Sequence, residues 1–198
     1  MSHKYEYILA LDPSGSYTEG KGTTGYVLIN ADEKLIETGA LSAKHYKCAE
    51  EYWDAHAALI KYFHEKYKKN LIVVIEEYIL YRERSRNQTN SKMETCRLIG
   101  VLQHTCWKLK QDYSMQLAAA VKTRWSDELL QREQIIYKSN GSFYHTDSNK
   151  SLKLKHIRDA FRHATHYAVC KNKKFPSKGV KDYGKNNKGY NKYKRSNY

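Results

Sequence analysis

The sequence has few prolines, few cysteines and no long apolar run. Its 198 residues include two prolines and four cysteines, and the cysteines form no Cys-x-x-Cys pair, which argues against a zinc knuckle or a disulfide framework and suits a reducing cytosol. No run approaches the roughly 20 apolar residues that a membrane-spanning helix requires, which excludes that class. The first residues also lack the apolar stretch of a secretory signal. We therefore expect a cytoplasmic protein.

Acidic residues are also scarce relative to basic ones. Lys and Arg total 35 against 21 Asp and Glu, a formal net charge of +14, so we expect a polyanionic partner, most simply nucleic acid. Residues 171–198 contain ten Lys or Arg and one acid, a net +9, which leaves +14 − 9 = +5 for residues 1–170. Because this tail has almost no aliphatic residues, we predict a disordered segment after a domain at 1–170. It is either an electrostatic arm whose tyrosines stack on unpaired bases or a solubilising extension.

The hydrophobic periodicity predicts the order β-β-β-α-β-α-β-α-α. The first three strands resemble an antiparallel meander, and the apolar run at 71–80 is typical of a central strand covered on both faces. This order predicts an α/β fold, a mixed sheet with helices on both faces. We expect residues 141–149 to form a loop in which Ser148 or Asn149 caps the last helix. The predicted strands are 5–12, 25–30, 34–41, 71–80 and 115–121, and the helices are 48–67, 91–110, 122–134 and about 150–170.

Three carboxylates occur where apolar residues are expected. Asp12 ends the first strand, Glu76 interrupts the central strand, and Asp159 lies in the last helix among apolar neighbours. An ionised carboxylate in such surroundings is costly unless it is paired or binds a metal. If the three meet, a divalent cation would remove their mutual repulsion, and hard oxygen ligands favour Mg²⁺ or Mn²⁺.

Histidines accompany the last of these acids. His156 is three residues before Asp159 and seven before His163, so all three lie near one face of a helix. Two metal ions about 4 Å apart, held by such groups, can activate water and stabilise the leaving oxygen of a phosphodiester. Taken singly, His163 or His166 could simply be a hydrogen-bonded residue at a helix–sheet contact.

The acids have structural alternatives too. Asp12 precedes a proline and could simply open a turn. Glu76 or Glu77 could form an ion pair with Arg82 or Arg84, and only one of the two neighbouring glutamates can face a given side of a strand.

The combination of these motifs resembles the RuvC-type Holliday-junction resolvases of the RNase H-like superfamily. The resemblance is carried by Asp-Pro followed by Thr-Gly-Tyr, by Ile-Glu, and by His-x-x-Asp-Ala, and it covers most of residues 7–170. The matching segments are ILALDPSGS, TTGYVLI, IVVIEEYIL, CRLIGVLQ, LAAAVKTRW and HIRDAFRHA. The resemblance implies an RNase H-like mixed five-stranded sheet, three antiparallel strands followed by parallel ones, with helices on both faces.

The resemblance also implies a catalytic set. It assigns the catalytic and metal-binding roles to Asp12, Glu76, His156 and Asp159. We expect Asp12 to bridge two Mg²⁺ ions, for which Mn²⁺ could substitute, and Glu76 and Asp159 to bind one ion each. His156 would bind a metal or position the attacking water. Glu77 and His163 are candidates for supporting these ligands.

DNA contacts are expected in the basic loop 81–92 and near the site. By resemblance this loop lies near the centre of a junction, where arginines can contact phosphates and tyrosines can stack on unpaired bases; the alternative is a solvated basic loop. The candidates are Tyr78, Tyr81, Arg82, Arg84, Arg86, Lys92, Lys122, Arg124, Lys153 and Lys155.

The expected enzyme is a Mg²⁺-dependent endodeoxyribonuclease that resolves four-way or other branched DNA by paired symmetric nicks, as in DNA recombination and repair. The resemblance implies a homodimer, and we place its surface on helix 91–110, through Leu98, Val101 and Leu102, unless that stripe only packs on the sheet. Alternatives are a nuclease for RNA–DNA hybrids and a non-catalytic nucleic-acid-binding protein. The chain departs from the family in a longer segment after Asp12, an expanded region at 131–148 and the tail. Its Tyr- and Lys-rich composition fits a bacteriophage protein.

Overall fold

A mixed sheet of five strands carries the structure. The computed structural model describes residues 4–79 and 93–172. Strand β1 pairs with β2 and β2 with β3 in antiparallel fashion, whereas β4 is parallel to both β1 and β5, giving the order β3-β2-β1-β4-β5. The predicted fold class is therefore confirmed. The strands are β1 (Tyr7–Asp12), β2 (Thr23–Asn30), β3 (Leu35–Ser42), β4 (Leu71–Glu77) and β5 (Tyr113–Leu117).

Helices cover both faces of this sheet, and a separate two-stranded hairpin accompanies them. Among the described residues, no helix has the length and apolar content needed to cross a bilayer. The helices are α1 (Ala49–Tyr67), α2 (Glu94–Leu109), α3 (Ala118–Arg124), α4 (Asp127–Arg132) and α5 (Lys155–Cys170), and the hairpin consists of β6 (Ile136–Ser139) and β7 (Ser142–His145).

Successive side chains of each strand point to opposite faces of the sheet, and a hydrophobic core lies on each face. Leu9 and Leu11 of β1 pack in a cluster with residues of α1 and α2, whereas Ile8 and Ala10 pack in a second cluster with residues of α5. Strand β4 is buried from 71 to 75, as expected for a central strand covered on both faces. Because α5 lies on the Ala10 side, the residues that share this side with Ala10 face α5.

The strand register brings the acids to one edge of the sheet. In the parallel pairs, Leu11 lies opposite Ile75 and Glu76 lies opposite Gln116, so the carboxyl ends of β1, β4 and β5 meet there. Asp12 lies opposite Gly25 of β2. A Cβ atom at Gly25 would overlap the main chain of His156, so only glycine lets the start of α5 lie against this strand.

The segment from 115 to 134 differs from the prediction. Strand β5 ends at Leu117 and the following alanines begin α3, consistent with the high intrinsic helix propensity of alanine. The predicted helix 122–134 is two short helices, because Ser126 caps α4 by accepting a hydrogen bond from the Leu129 amide at 3.2 Å.

The prediction of a loop at 141–149 is wrong for residues 142–145, which form β7. Asn140 and Gly141 have positive φ angles of 48° and 74°, which form the tight turn of the β6–β7 hairpin. Neither Ser148 nor Asn149 caps the last helix: α5 begins at Lys155 after Leu154, with no side-chain cap. The residues between Asn149 and α5 do not extend the helix, because segment 150–152 hydrogen-bonds to β7.

Helix α5 ends at Cys170. Residues 173–198 of the predicted tail lie outside the described residues, so the division into a domain and a disordered arm stays a prediction.

Candidate active site

Asp12 and His156 form a direct contact at the carboxyl end of β1. The Nδ1 atom of His156 lies 2.6 Å from the Oδ2 atom of Asp12. Asp12 is 7% exposed, because it is the last residue of a buried strand and faces α5. With Nδ1 engaged by the carboxylate, the Nε2 atom of the imidazole remains the one available to a ligand or a water molecule.

Glu76 is held by a histidine from the same helix. The Nε2 atom of His163 donates to Oε2 of Glu76 at 2.9 Å, and its Nδ1 atom lies 2.9 Å from Oε1 of Gln116. His163 is fully buried. One imidazole therefore connects α5 with the ends of both β4 and β5, and it fixes the carboxylate of Glu76 at the edge where Asp12 also lies.

Asp159 lies between two cations. Arg162 donates to one of its carboxylate oxygens, and the ammonium of Lys122 lies 3.1 Å from the other. The same ammonium lies 3.4 Å from Oε1 of Glu76. Arg162 also binds Asp127 at 2.5 Å, at the start of α4. Lys122 thus bridges two of the acids, and Arg162 anchors Asp159 from the buried side.

The electrostatics follow from burial and crowding. Burial, together with repulsion from Glu76 and Asp159, raises the pKa of Asp12 against the opposing hydrogen bond from His156. That hydrogen bond raises the pKa of His156 although burial opposes it. Burial alone would raise the pKa of Glu76, but the hydrogen bond from His163 and the positive charge of Lys122 outweigh burial, so the pKa is lowered. Desolvation alone would lower the pKa of Lys122, but attraction to Glu76 and Asp159 outweighs desolvation, so the pKa is raised. The site therefore favours an added positive charge.

The donor set suits a hard divalent cation, although the acids are paired with protein cations. Within residues 4–79 and 93–172, no three carboxylate, imidazole or thiol side chains are arranged as a ready-made metal site. The carboxylates are instead bridged by Lys122 and anchored by Arg162. Three carboxylates and one imidazole at a single buried edge nevertheless provide the oxygen-rich ligands that Mg²⁺ and Mn²⁺ prefer.

The structure brings together the four residues assigned to catalysis, and His163 beside them. It does not bring Glu77 there, because that residue is exposed while Glu76 shares the α5 side of the strand. Tyr78 packs against the α1–α2 core.

The remaining predicted DNA contacts fall in three places. Lys122 is inside the acidic cluster, where its ammonium contacts two carboxylates. Arg124, Lys153 and Lys155 are exposed. The other candidates lie outside the described residues: Tyr81, Arg82, Arg84, Arg86 and Lys92.

Two of the three residues of the predicted apolar stripe of α2, Leu98 and Leu102, are part of the core, whereas Val101 is half-buried. Leu98 and Leu102 are fully buried in the cluster shared with α1 and the sheet, which is the alternative to a dimer surface. The exposed side of α2 carries a different row, Arg97, Gly100, His104 and Trp107, spaced three or four residues apart. Trp107 is 72% exposed, and its ring stacks on that of His104.

Sequence reasoning missed the residues that support the site. Gln116 follows from register, because it is the β5 residue opposite Glu76. Arg162 sits at the helical spacing i+3 from Asp159, which is a detectable signal. The role of Asp127 depends on the direction of α4, for which the sequence carries no signal.

A buried hydrogen-bond network supports the loop after Asp12. The Nδ1 atom of His56 donates to the Tyr52 carbonyl at 2.6 Å, so its Nε2 atom accepts from Thr24 Oγ1 at 2.8 Å. Thr24 Oγ1 also accepts from the Ser14 amide at 3.1 Å, and the Tyr52 hydroxyl donates to the Ser14 carbonyl at 2.9 Å. Both main-chain groups of Ser14 are thereby fixed, two residues beyond Asp12.

Comparison with known proteins identifies the fold. No protein-family model matches the chain, and no curated protein matches it. Among solved structures, the chain is similar to T. thermophilus RuvC in complex with Holliday junction substrate, with a TM-score of 0.58 and 13% identity, covering 83% of this chain and 95% of that chain. It is also similar to the Thermus thermophilus RuvC structure, with a TM-score of 0.54, 15% identity and coverage of 82% and 95%. The chain therefore has a RuvC-type fold, as its motifs predict.

Proposed function

We propose that this protein is a metal-dependent, structure-specific DNA endonuclease that resolves four-way or other branched DNA by paired symmetric nicks. The observation that carries the proposal is the meeting of Asp12, Glu76, His156 and Asp159 at one edge of a RuvC-type sheet. The excess of positive charge supports a polyanionic substrate. Clustered carboxylates repel the phosphates of a polyanion. Divalent cations bound between the two would remove this repulsion.

The four residues have separate roles. Asp12, Glu76 and Asp159 would hold divalent ions, Mg²⁺ or Mn²⁺. The ions would lower the pKa of the attacking water and stabilise the leaving oxygen. His156 orients the Asp12 carboxylate through Nδ1 and presents Nε2 to a metal or to the attacking water. His163 and Gln116 hold Glu76 in place.

When no metal ion is bound, the ammonium of Lys122 offsets the negative charge of Glu76 and Asp159. Its side chain is 38% exposed, whereas that of Arg162 is 11% exposed and bound to two carboxylates. Lys122 is therefore the cation that can leave Glu76 and Asp159 for a nearby phosphate, while Arg162 keeps Asp159 in position. Arg124, Lys153 and Lys155 are further phosphate contacts around the site.

Paired symmetric nicks call for two active sites, and we propose a homodimer. Leu98 and Leu102 are used in the core, so the exposed row Arg97, Gly100, His104 and Trp107 is the surface of α2 left for a partner copy. Gly100 has open space where its Cβ would be, so it allows close approach of another chain.

Nicking of a synthetic four-way junction with and without EDTA tests the function. Two symmetric cuts with Mg²⁺ and none with EDTA are expected. Faster cutting of an RNA–DNA hybrid in competition would favour the hybrid nuclease, and tight junction binding without cutting would favour a non-catalytic binding protein.

A further inference from the structure

The hairpin β6–β7 carries a stacked tyrosine pair, of which Tyr137 is exposed and Tyr144 is half-buried. Ile136 and His145 form a cross-strand pair buried against the core, so the next pair, Tyr137 and Tyr144, faces the opposite side. The two rings lie 5.5 Å apart with an interplanar angle of 21°. Tyr137 is 38% exposed, and its hydroxyl donates to Asn149 at 3.0 Å. One ring of a fixed stack is thus open to a further planar group.

The hairpin is attached to the helix that carries the site. Phe143 packs under the guanidinium of Arg158, 4.5 Å from the ring centroid, and His145 packs edge-on against Phe161. The Leu152 amide donates to the Phe143 carbonyl at 2.8 Å. These contacts attach the hairpin to α5, the helix that carries His156 and Asp159.

The strand register connects this hairpin, through β3 and β2, to the strand that ends in Asp12. Thr38 of β3 donates to the Ser151 carbonyl at 3.5 Å, and Ser151 forms a bridge with Tyr144. Thr38 lies level with Ala10 of β1 through the β2 register. Thr38, which contacts Ser151, is thus about 10 Å across the sheet from the strand that ends in Asp12.

Exposed lysines follow the hairpin in sequence as far as α5, and Lys138 lies on the other face of the hairpin from the tyrosines, with its ammonium 5.7 Å from the ring centroid of Phe143. Residues 136–155 contain four lysines and one acid, Asp147. None of the four lysines has a carboxylate within 4.0 Å in the described part of the chain, so their charges are available to phosphates. All four are exposed: Lys138, Lys150, Lys153 and Lys155.

We infer that Tyr137 and Tyr144, together with Lys150, Lys153 and Lys155, form a platform for unpaired nucleotides beside the proposed active site. A base stacks on the open face of Tyr137, and the lysines hold the phosphates that lead toward His156. A stacked pair could also serve only to stabilise the hairpin. The platform rests on the proposed function for its biological substrate, but its binding chemistry can be measured separately.

Anisotropy measurements in EDTA test the platform with the full chain. The probes are a labelled single-stranded oligonucleotide and a duplex of equal length. Tyr137→Ala should weaken single-strand binding about tenfold and duplex binding less than twofold. Tyr137→Phe keeps the ring and should bind like wild type, as should Tyr62→Ala, an exposed tyrosine on α1. Thermal unfolding shows that each variant is folded.

Loss of the lysines should change the salt dependence of binding, which loss of the Tyr137 ring should not. Lys150→Ala combined with Lys153→Ala should weaken binding of both probes and reduce the slope of log affinity against log salt by about 1.4 for the single strand. Wild-type single-strand affinity in Tyr137→Ala, or an equal loss in Tyr137→Phe, would overturn the platform.

The two proposals fail separately. If wild type nicks a junction but Tyr137→Ala binds single strands normally, the platform is wrong and the endonuclease stands. If wild type does not nick but Tyr137→Ala loses single-strand affinity, the platform stands and the endonuclease is wrong.

Discussion

His156 and Asp12 are 144 positions apart in sequence, and their side chains meet at 2.6 Å. The contact joins the start of α5 to the end of β1, and Gly25 makes it possible by leaving room for the helix main chain. Replacing Gly25 with alanine should therefore separate the two side chains without removing either.

Gly25→Ala should abolish cleavage and also reduce stability, because the added methyl group overlaps the main chain of His156 and Ile157. We expect a loss of about 1 to 3 kcal/mol in urea unfolding. Gly141→Ala is the control in the hairpin turn, where strain arises from a positive φ and not from contact with α5. Normal cleavage by Gly25→Ala would show that this packing is not required.

Arg162→Met should be among the most destabilising substitutions near the site. It leaves Asp159 without its buried partner and removes one cation from Asp127, a change worth about 3 to 5 kcal/mol. Arg132→Met is the matched control, since its pair with Glu133 is exposed and should matter by less than about 1 kcal/mol. Urea unfolding measures both, and similar small losses would contradict the anchoring role of Arg162.

Stability should fall in acid because of His56. Burial lowers its pKa from 6.5 to about 4 in the folded protein, so between these values the unfolded chain binds the proton that the native state excludes. The stabilising contribution of neutral His56 is complete above pH 6.5 and declines as the pH falls toward 4, by about 2 to 3 kcal/mol.

The comparison with His56→Gln isolates this effect from other titrating groups. In urea unfolding, the stability difference between wild type and variant should be largest at pH 7 and shrink toward pH 4.5. A difference that does not change with pH would exclude His56 as the cause.

Lys122→Met tests whether a protein cation stands in for metal. The variant leaves Glu76 and Asp159 to repel each other, so it should be less stable in EDTA and gain more from Mg²⁺ than wild type does. We expect a Mg²⁺-dependent rise in Tm at least about 3 °C greater than in wild type. Lys61→Met, at an exposed pair on α1, should show the wild-type response. Equal Mg²⁺ shifts in all three proteins would argue against metal binding between these acids.

The sequence predicts the sheet and its acids better than their surroundings. Strong apolar runs such as 71–75 define strands, and a carboxylate at the end of such a run is conspicuous because its burial is costly. The hairpin was missed because its strands are only four residues each and polar on one side, so their periodicity is weak. Gln116 and Asp127 were missed because their contacts depend on strand register and helix direction, which are tertiary properties.

The central claim is best tested by incubating wild type and Asp12→Asn with a synthetic four-way junction. Wild type should make paired symmetric nicks with Mg²⁺ and none with EDTA, while Asp12→Asn should bind the junction with similar affinity and leave it intact. Cleavage by Asp12→Asn at the wild-type rate, or intact junction after incubation with folded wild type and Mg²⁺ or Mn²⁺, would contradict the proposed active site.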